Sequence, residues 1–239
     1  MKNSLGARMK RYEDVSHHAL TRRTPVIIRV DGKSFHTYTE KLERPFDRTL
    51  IMAMVTAATR VMNNIQGCKL AYVASDEASF LLTDWENLET QPWFDYNLQK
   101  IVSIAASLMT AYFNTEIKTL NDLYLASFDI PAFKPLASAM FDARAFNIPR
   151  EEVSNYFLWR AKDWERNSLQ MVARNEFSHK QLQGIDCDTI KTMLLSQNID
   201  WENFREDEKY GTFVTKTGDG IFIKPNFVDI NTFVEKIML

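Results

Sequence analysis

IIRVDGKSFH, residues 27–36, decides the fold. Ile27, Ile28 and Val30 are β-branched and read as a buried strand over residues 26–31. The strand ends on Asp31 and Gly32, and Lys33, Ser34, Phe35 and His36 follow at once. Asp-Gly is a common turn dipeptide, so a plain turn is one reading. An acidic strand end beside exposed backbone is also a place where a metal ion and a phosphate can meet, which is the other.

Working outward, Asp47 opens a helix with Leu50, Met54, Ala57, Val61 and Ile65 at helical spacing. Residues 69–75 and 78–83 read as a strand pair around a turn at Ser75, Asp76 and Glu77. Residues 93–114 read as a second helix with a stripe of Leu98, Ile101, Ala105, Leu108 and Tyr112. Short strands are predicted over Tyr124–Phe128 and Ala137–Asp142. The order β-α-β-β-α-β predicts an α+β, ferredoxin-like core over residues 1–145. In that arrangement strand one lies antiparallel to strand three, so Asp31 and Asp76 become neighbours although 45 positions apart.

Residues 146–239 read as a helical C-terminal elaboration packed on the core. A long helix spans 149–175, with Val153, Phe157, Ala161, Trp164 and Ser168 on one stripe. Arg160, Asp163, Asn167 and Arg174 form a second stripe. Shorter helices follow near 188–196 and 200–208, then a turn-rich segment, KYGTFVTKTGDG, and a terminal strand or helix.

Composition excludes several classes. The 239 residues carry 45% hydrophobic and 25% charged residues, an ordinary globular balance. The formal net charge of −2 gives no global basic field, so nucleic acid would need a local patch or several subunits. Two cysteines, Cys68 and Cys187, are too few for a thiolate zinc cluster and suit a reducing cytosol. No apolar run approaches a membrane span, and the N-terminus has no signal-peptide core. A cytoplasmic protein is expected.

Asp31, Asp76 and Glu77 form a candidate cluster for magnesium, which takes carboxylates plus substrate phosphates. Two unrelated acidic turns explain the same residues. Lys33, Ser34 and His36 could meet a triphosphate through side chains and backbone amides, or form a polar loop. Lys100 lies on a small polar stripe with Ser103, Ser107, Thr110 and Asn114 and could reach a phosphate, or face solvent. Arg160, Asn167 and Arg174, with Arg166 and Lys180 nearby, could follow an RNA backbone. They could equally form a solvated face with internal pairs, Arg160 with Asp163 or Asp163 with Asn167.

Five motifs occur in order: RVDGKSFH (29–36), AYVASDEASF (71–80), QKIVS (99–103), FDAR (141–144) and WRAKDWERNS (159–168). Together they resemble the tRNA-histidine guanylyltransferase superfamily, from about Pro25 to Lys216. The resemblance implies a palm like that of polymerases and nucleotide cyclases. It implies two Mg2+ ions and nucleotide addition to the 5′ end of tRNA in the 3′-to-5′ direction. Asp31 and Asp76 would ligate the ions with the Gly32 carbonyl, and Glu77 is the second acid of the pair. Lys33, Ser34, Phe35, His36 and Ser75 match the loops around ATP, GTP or another nucleoside triphosphate. Asp47 matches a residue near the incoming base, Lys100 a triphosphate lysine, and Arg29 an arginine of 5′-end activation. A homotetramer is the usual assembly.

The sequence departs from the eukaryotic enzymes at Glu165-Arg166-Asn167-Ser168, where they carry histidine-isoleucine-asparagine-asparagine. Only Asn167 is kept. The departure resembles the guanylyltransferase-like branch, which repairs 5′-truncated tRNA by templated addition. AYVASDE also replaces the commoner AYGQSDE, so pocket shape near Ala74 is expected to differ. The alternatives are guanosine addition at position −1 of tRNA-histidine, a palm enzyme of free nucleotides such as a cyclase, and an inactive RNA-binding protein on the same fold.

Overall fold

The computed structural model describes residues 4–128, 138–216 and 219–239. In chain order the elements are α1 (Leu5–Asp14), β1 (Val26–Gly32), α2 (Phe35–Tyr38), α3 (Arg48–Asn64), β2 (Cys68–Ala74), β3 (Glu77–Leu82), α4 (Leu98–Phe128) and β4 (Phe141–Asn147). There follow α5 (Val153–Glu176), α6 (His179–Leu182), α7 (Cys187–Ser196), α8 (Glu206–Tyr210), β5 (Thr212–Thr215), β6 (Gly220–Ile221) and α9 (Phe227–Met238). One sheet holds all six strands in the order β4-β1-β3-β2-β5-β6, with every pair antiparallel.

Strand alternation sorts β1 between two cores. Val26, Ile28 and Val30 pack with Ala78, Phe80 and Leu82 of β3 under α3 and α4. Ile27 and Leu81 face the other way and pack under α5 and α9. Arg29, Asp31, Glu77 and Ser79 share the parity of Ile27 and Leu81, so polar groups occupy the end of the face that α5 covers. A third cluster joins the C-terminal half of α5 to α7 and α8 through Val172, Ile190, Leu194 and Tyr210.

The predicted stripes hold for two helices. In α3, Met54, Ala57, Val61 and Ile65 just beyond its end are buried, and Asp47 caps the start by accepting from the Leu50 amide at 2.9 Å. In α5, Val153, Phe157, Ala161, Trp164 and Ser168 are all buried. In α4 the buried stripe is Ile101, Ala105, Met109, Phe113 and Ile117, with Leu108 and Tyr112 on its flank.

Three expectations are corrected. Residues 124–128 are not a strand but the last turns of α4, which begins after a 3-10 turn at Trp93–Tyr96. Extending a formed helix adds a hydrogen bond for each residue fixed, while a new strand there would need its own partner. The strand expected at 137–142 is β4, Phe141–Asn147; residue 137 lies outside the described residues. The C-terminal region is not purely helical, because Thr212–Thr215 of the turn-rich segment pairs with β2 and extends the core sheet. Gly211 makes that entry possible at φ +70, where a Cβ would lie 2.7 Å from the Tyr72 hydroxyl and the Val73 carbonyl. The terminal segment is the helix α9.

Candidate active site

The β1–β3 register pairs Asp31 with Glu77, and β2–β3 pairs Ala74 with Glu77. The turn between β2 and β3 is therefore only Ser75 and Asp76. Tight two-residue hairpins require a positive φ, and Ser75 adopts +54. The Gly32 amide donates to the Asp76 carbonyl at 3.1 Å, and the Lys33 amide donates to the Met140 carbonyl at 2.8 Å. These bonds lock the end of β1 against the hairpin tip and put Asp31 beside Asp76.

Neither Asp31 nor Asp76 has a cationic side chain within ion-pair distance among the described residues. Burial pushes the Asp76 carboxyl up, Ser75 pulls it back by a hydrogen bond, and the charges of Asp31 and Glu77 add to the rise. Such a site favours a cation. Among the described residues no three carboxylate, histidine or cysteine side chains are grouped to hold an ion unaided. A carboxylate pair completed by substrate phosphate oxygens is a normal setting for magnesium, so Asp31, Asp76 and the Gly32 carbonyl fit it.

Glu77 has a different environment. Arg160 of α5 donates from Nε to Oε1 and from Nη2 to Oε2, both at 2.7 Å. Arg29 approaches Oε2 at 3.9 Å. The anticipated RNA stripe is thereby divided. The Arg160 guanidinium is committed to Glu77, with Asp163 at 3.5 Å and the Trp159 ring beneath it. Asn167 donates to Asp163 at 3.3 Å, so both internal contacts considered from sequence are present. Arg174 lines the cleft described next, and Lys180 is exposed on α6.

A cleft of about 620 Å³ opens beside the carboxylates. Gly32, Ser34, Phe35 and His36 border it on one side, Ser75 and Asp76 on another, and Asp47 at the start of α3. The Asp47 carboxylate also accepts from the Glu43 amide at 3.2 Å. Sequence reasoning missed the apolar walls, Phe46 and Trp164, whose rings meet edge to face with centroids 6.4 Å apart. The only sequence signal was an aromatic directly before the Asp47 cap. Lys33 is exposed and borders a separate small hollow with Tyr38 and Met140.

Lys100 is not brought to the cleft. α4 meets the Phe141 end of β4 through Thr110, whose Oγ1 accepts from the Phe141 amide at 3.2 Å. Lys100 lies ten residues earlier, about 15 Å along the helix. Its end of α4 is fixed instead to residues 18–20, through the Leu98 amide and the His18 carbonyl.

An antiparallel α+β sheet with a carboxylate couple at a cleft of this size can hold a divalent cation against the phosphates of a nucleotide, the arrangement a nucleotidyltransferase needs. The sequence pattern of tRNAHis guanylyltransferase, Thg1, matches residues 6–149. The chain belongs to that family. A bacterial tRNA(His) guanylyltransferase (Thg1)-like protein, solved in complex with ATP, is similar at 38% identity and TM-score 0.87, over 98% of this chain and 99% of that one. A related structure in complex with GTP has 37% identity and TM-score 0.71, covering 89% and 85%. The tRNA(His) guanylyltransferase of Schizosaccharomyces pombe is 34% identical over 67% of this chain, which spans 56% of that enzyme's length.

Proposed function

We propose that this protein adds nucleotides to the 5′ end of tRNA in the 3′-to-5′ direction, copying the opposing strand, and so repairs 5′-truncated tRNA. The observation that carries the reading is the union of Asp31 and Asp76 at the mouth of the cleft. The strand order β4-β1-β3-β2 supports reading the core as a polymerase-type palm. A nucleoside triphosphate occupies the cleft, its base against the apolar wall that Phe46 and Trp164 build and its phosphates against the loop of Gly32, Ser34 and His36. Asp31, the Gly32 carbonyl and Asp76 would hold two Mg2+ ions, which lower the charge cost at phosphorus when bound.

The reaction has two stages. A 5′-monophosphate is adenylylated by ATP with release of pyrophosphate. The 3′-hydroxyl oxygen of the incoming nucleotide then bonds to that 5′ phosphorus, and AMP leaves with the bonding pair. A 5′-triphosphate end skips the first stage and releases pyrophosphate. The chain's residues orient these groups: Gly32 fixes the two carboxylates together, and Arg29 lies next to Asp31 on the same face. ATP and GTP in the related complexes support nucleotides as substrates. With a net charge of −2 one chain has no global basic field, so the RNA is shared among subunits of a homotetramer, in the cytoplasm.

Glu165 stands where the eukaryotic enzymes carry a histidine, and this removes a donor for one anticodon. It is half-buried; burial pushes its carboxyl up against the pull of Lys191 and Lys224. Nucleotide choice then rests on pairing with the acceptor stem. The second reading, guanosine addition at position −1, is favoured by the names of the curated relatives. Truncated tRNAs that differ in anticodon, each with a compensating change in the opposing base, separate the two. Templated repair of all of them supports the proposal. Extension of tRNA-histidine alone, or addition that ignores the template, replaces it with the second reading. Loss of activity with added salt should be steep, because backbone contacts release counterions.

A further inference from the structure

The β1–β4 register sets Arg29 directly opposite Arg144. Directly opposed like charges destabilise a strand pair unless something between them compensates. Neither arginine is compensated well. Glu77, the acid nearest Arg29, spends both oxygens on Arg160, and the Arg29 Nε is buried without a hydrogen-bond partner in the described residues. Arg144 has one loose contact, Nη2 to Asp142 Oδ1 at 3.4 Å, and is half exposed. Asp31 lies two residues from Arg29 on the same face, about 7 Å along the strand. Arg144 therefore opens to solvent, with the more shielded Arg29 beside it, one step from the carboxylates.

We infer that Arg29 and Arg144 form a two-armed clamp for the 5′-terminal phosphate of the RNA, with Arg144 a binding residue in its own right. Guanidinium forks match phosphate oxygens bidentately. The placement assigns the source of the phosphate. The cleft reaches the carboxylates through Val73, Ala74 and Thr212 and through Gly32, Ser34 and His36 just beyond β1. Arg29 and Arg144 flank them on the β1 and β4 side, and neither lines the cleft. Two phosphate-bearing ligands thus reach Asp31 and Asp76 at separate places: the nucleotide in the cleft, the RNA end along β1 and β4 outside it. The inference rests on the proposed reaction for its ligand, but its readout is binding.

The test compares two RNAs of one sequence, a 5′-monophosphate and a 5′-hydroxyl, by equilibrium binding to the full protein without nucleotide. ATP binding is measured beside it. Wild type should prefer the phosphorylated end by about tenfold or more, the scale of charge-assisted hydrogen bonds. Arg144→Ala should abolish the preference with ATP affinity unchanged, and Arg144→Lys should retain part of it. No preference in wild type, a preference that survives Arg144→Ala, or a loss confined to ATP binding would each overturn the clamp. Thermal melting controls for folding, and the lysine variant reports if the alanine variant is unstable. If the preference behaves as expected yet no RNA is extended, the clamp stands and the proposed reaction fails. If RNA is extended and the preference ignores Arg144, the clamp alone fails.

Discussion

Arg160 grips Glu77 with two parallel hydrogen bonds of 2.7 Å, joining α5 to the first residue of β3. The side chains are 16% and 15% exposed, so the pair is mostly shielded from water. The bond ties the C-terminal region to the strand that follows the Asp76 turn. It also separates the two acids of the Asp76-Glu77 pair: one carboxylate is free to meet a cation, and its neighbour is already paired.

Arg160→Ala should destabilise the protein by about 2–4 kcal/mol, because it leaves Glu77 shielded with only Arg29, 3.9 Å away, to compensate it. Removing both groups should cost less than the sum of the single changes. Urea unfolding of both single variants and the double variant measures this. An Arg160→Ala variant within about 0.5 kcal/mol of wild type would remove the pair from any structural role.

Asp76→Asn should cut nucleotide addition by about 100-fold or more, the scale of losing a preorganised electrostatic partner. The metal-free fold should respond in the opposite sense. The raised Asp76 pKa means that the folded state binds the proton more tightly than the unfolded chain. Its stabilising contribution is full below the ordinary aspartate value near ~3.9 and is lost as pH rises through the raised value. At neutral pH without metal, Asp76→Asn should therefore melt above wild type, and the gap should close in acid. Magnesium should raise the wild-type melting temperature more than that of the variant. Melting curves across pH, with and without the ion, decide the sign.

Gly32→Ala should damage the site without unfolding the protein. A Cβ at residue 32 would lie 2.2 Å from the Phe35 ring. That ring is wedged among Tyr38, Phe113 and Phe141 at centroid distances of 5.0, 5.6 and 5.1 Å, so it has little room to retreat. The expected cost is about 1–3 kcal/mol, typical of overpacking. Activity should fall further than stability explains, since the Gly32 amide also holds the Asp76 turn. Near-normal turnover in this variant would contradict that coupling.

Asp207 gives the cleft an acid-sensitive floor. Burial works against its carboxylate, but hydrogen bonds from Arg48 and Arg205 outweigh burial and hold the pKa below the usual range. The resulting stability is present above the ordinary aspartate value and is lost as pH falls through the depressed one. Asp207→Asn should cost about 1–2 kcal/mol near pH 7 and progressively less in acid. The figure is modest because Arg48 and Arg205 are 41% and 59% exposed and water screens them. Chemical denaturation at several pH values tests the trend.

The sequence by itself determined the local features. A run of β-branched residues marked β1, the Asp47 cap and its apolar repeat marked α3, and the Asp31-Gly32 and Ser75-Asp76 turns marked the two halves of the carboxylate site. Each is written within a few neighbouring residues, because strand parity, helix period and turn chemistry are short-range. The tertiary structure decided what depends on long-range partners. The run at Tyr124–Phe128 continued as helix, since α4 was already formed and each added residue gains a hydrogen bond. The segment at Thr212–Thr215 became a strand only because the β2 edge was free to receive it. Arg160 and Glu77 look alike in sequence to any solvated charges, and only the crossing of α5 over the sheet joins them. Lys100 shares a helix with Thr110, yet ten residues of helical rise separate it from the contact with Phe141 of β4, and it does not line the cleft. Arg29 and Arg144 face one another only through a strand register set by burial of Val30 and Ala143 on the opposite face.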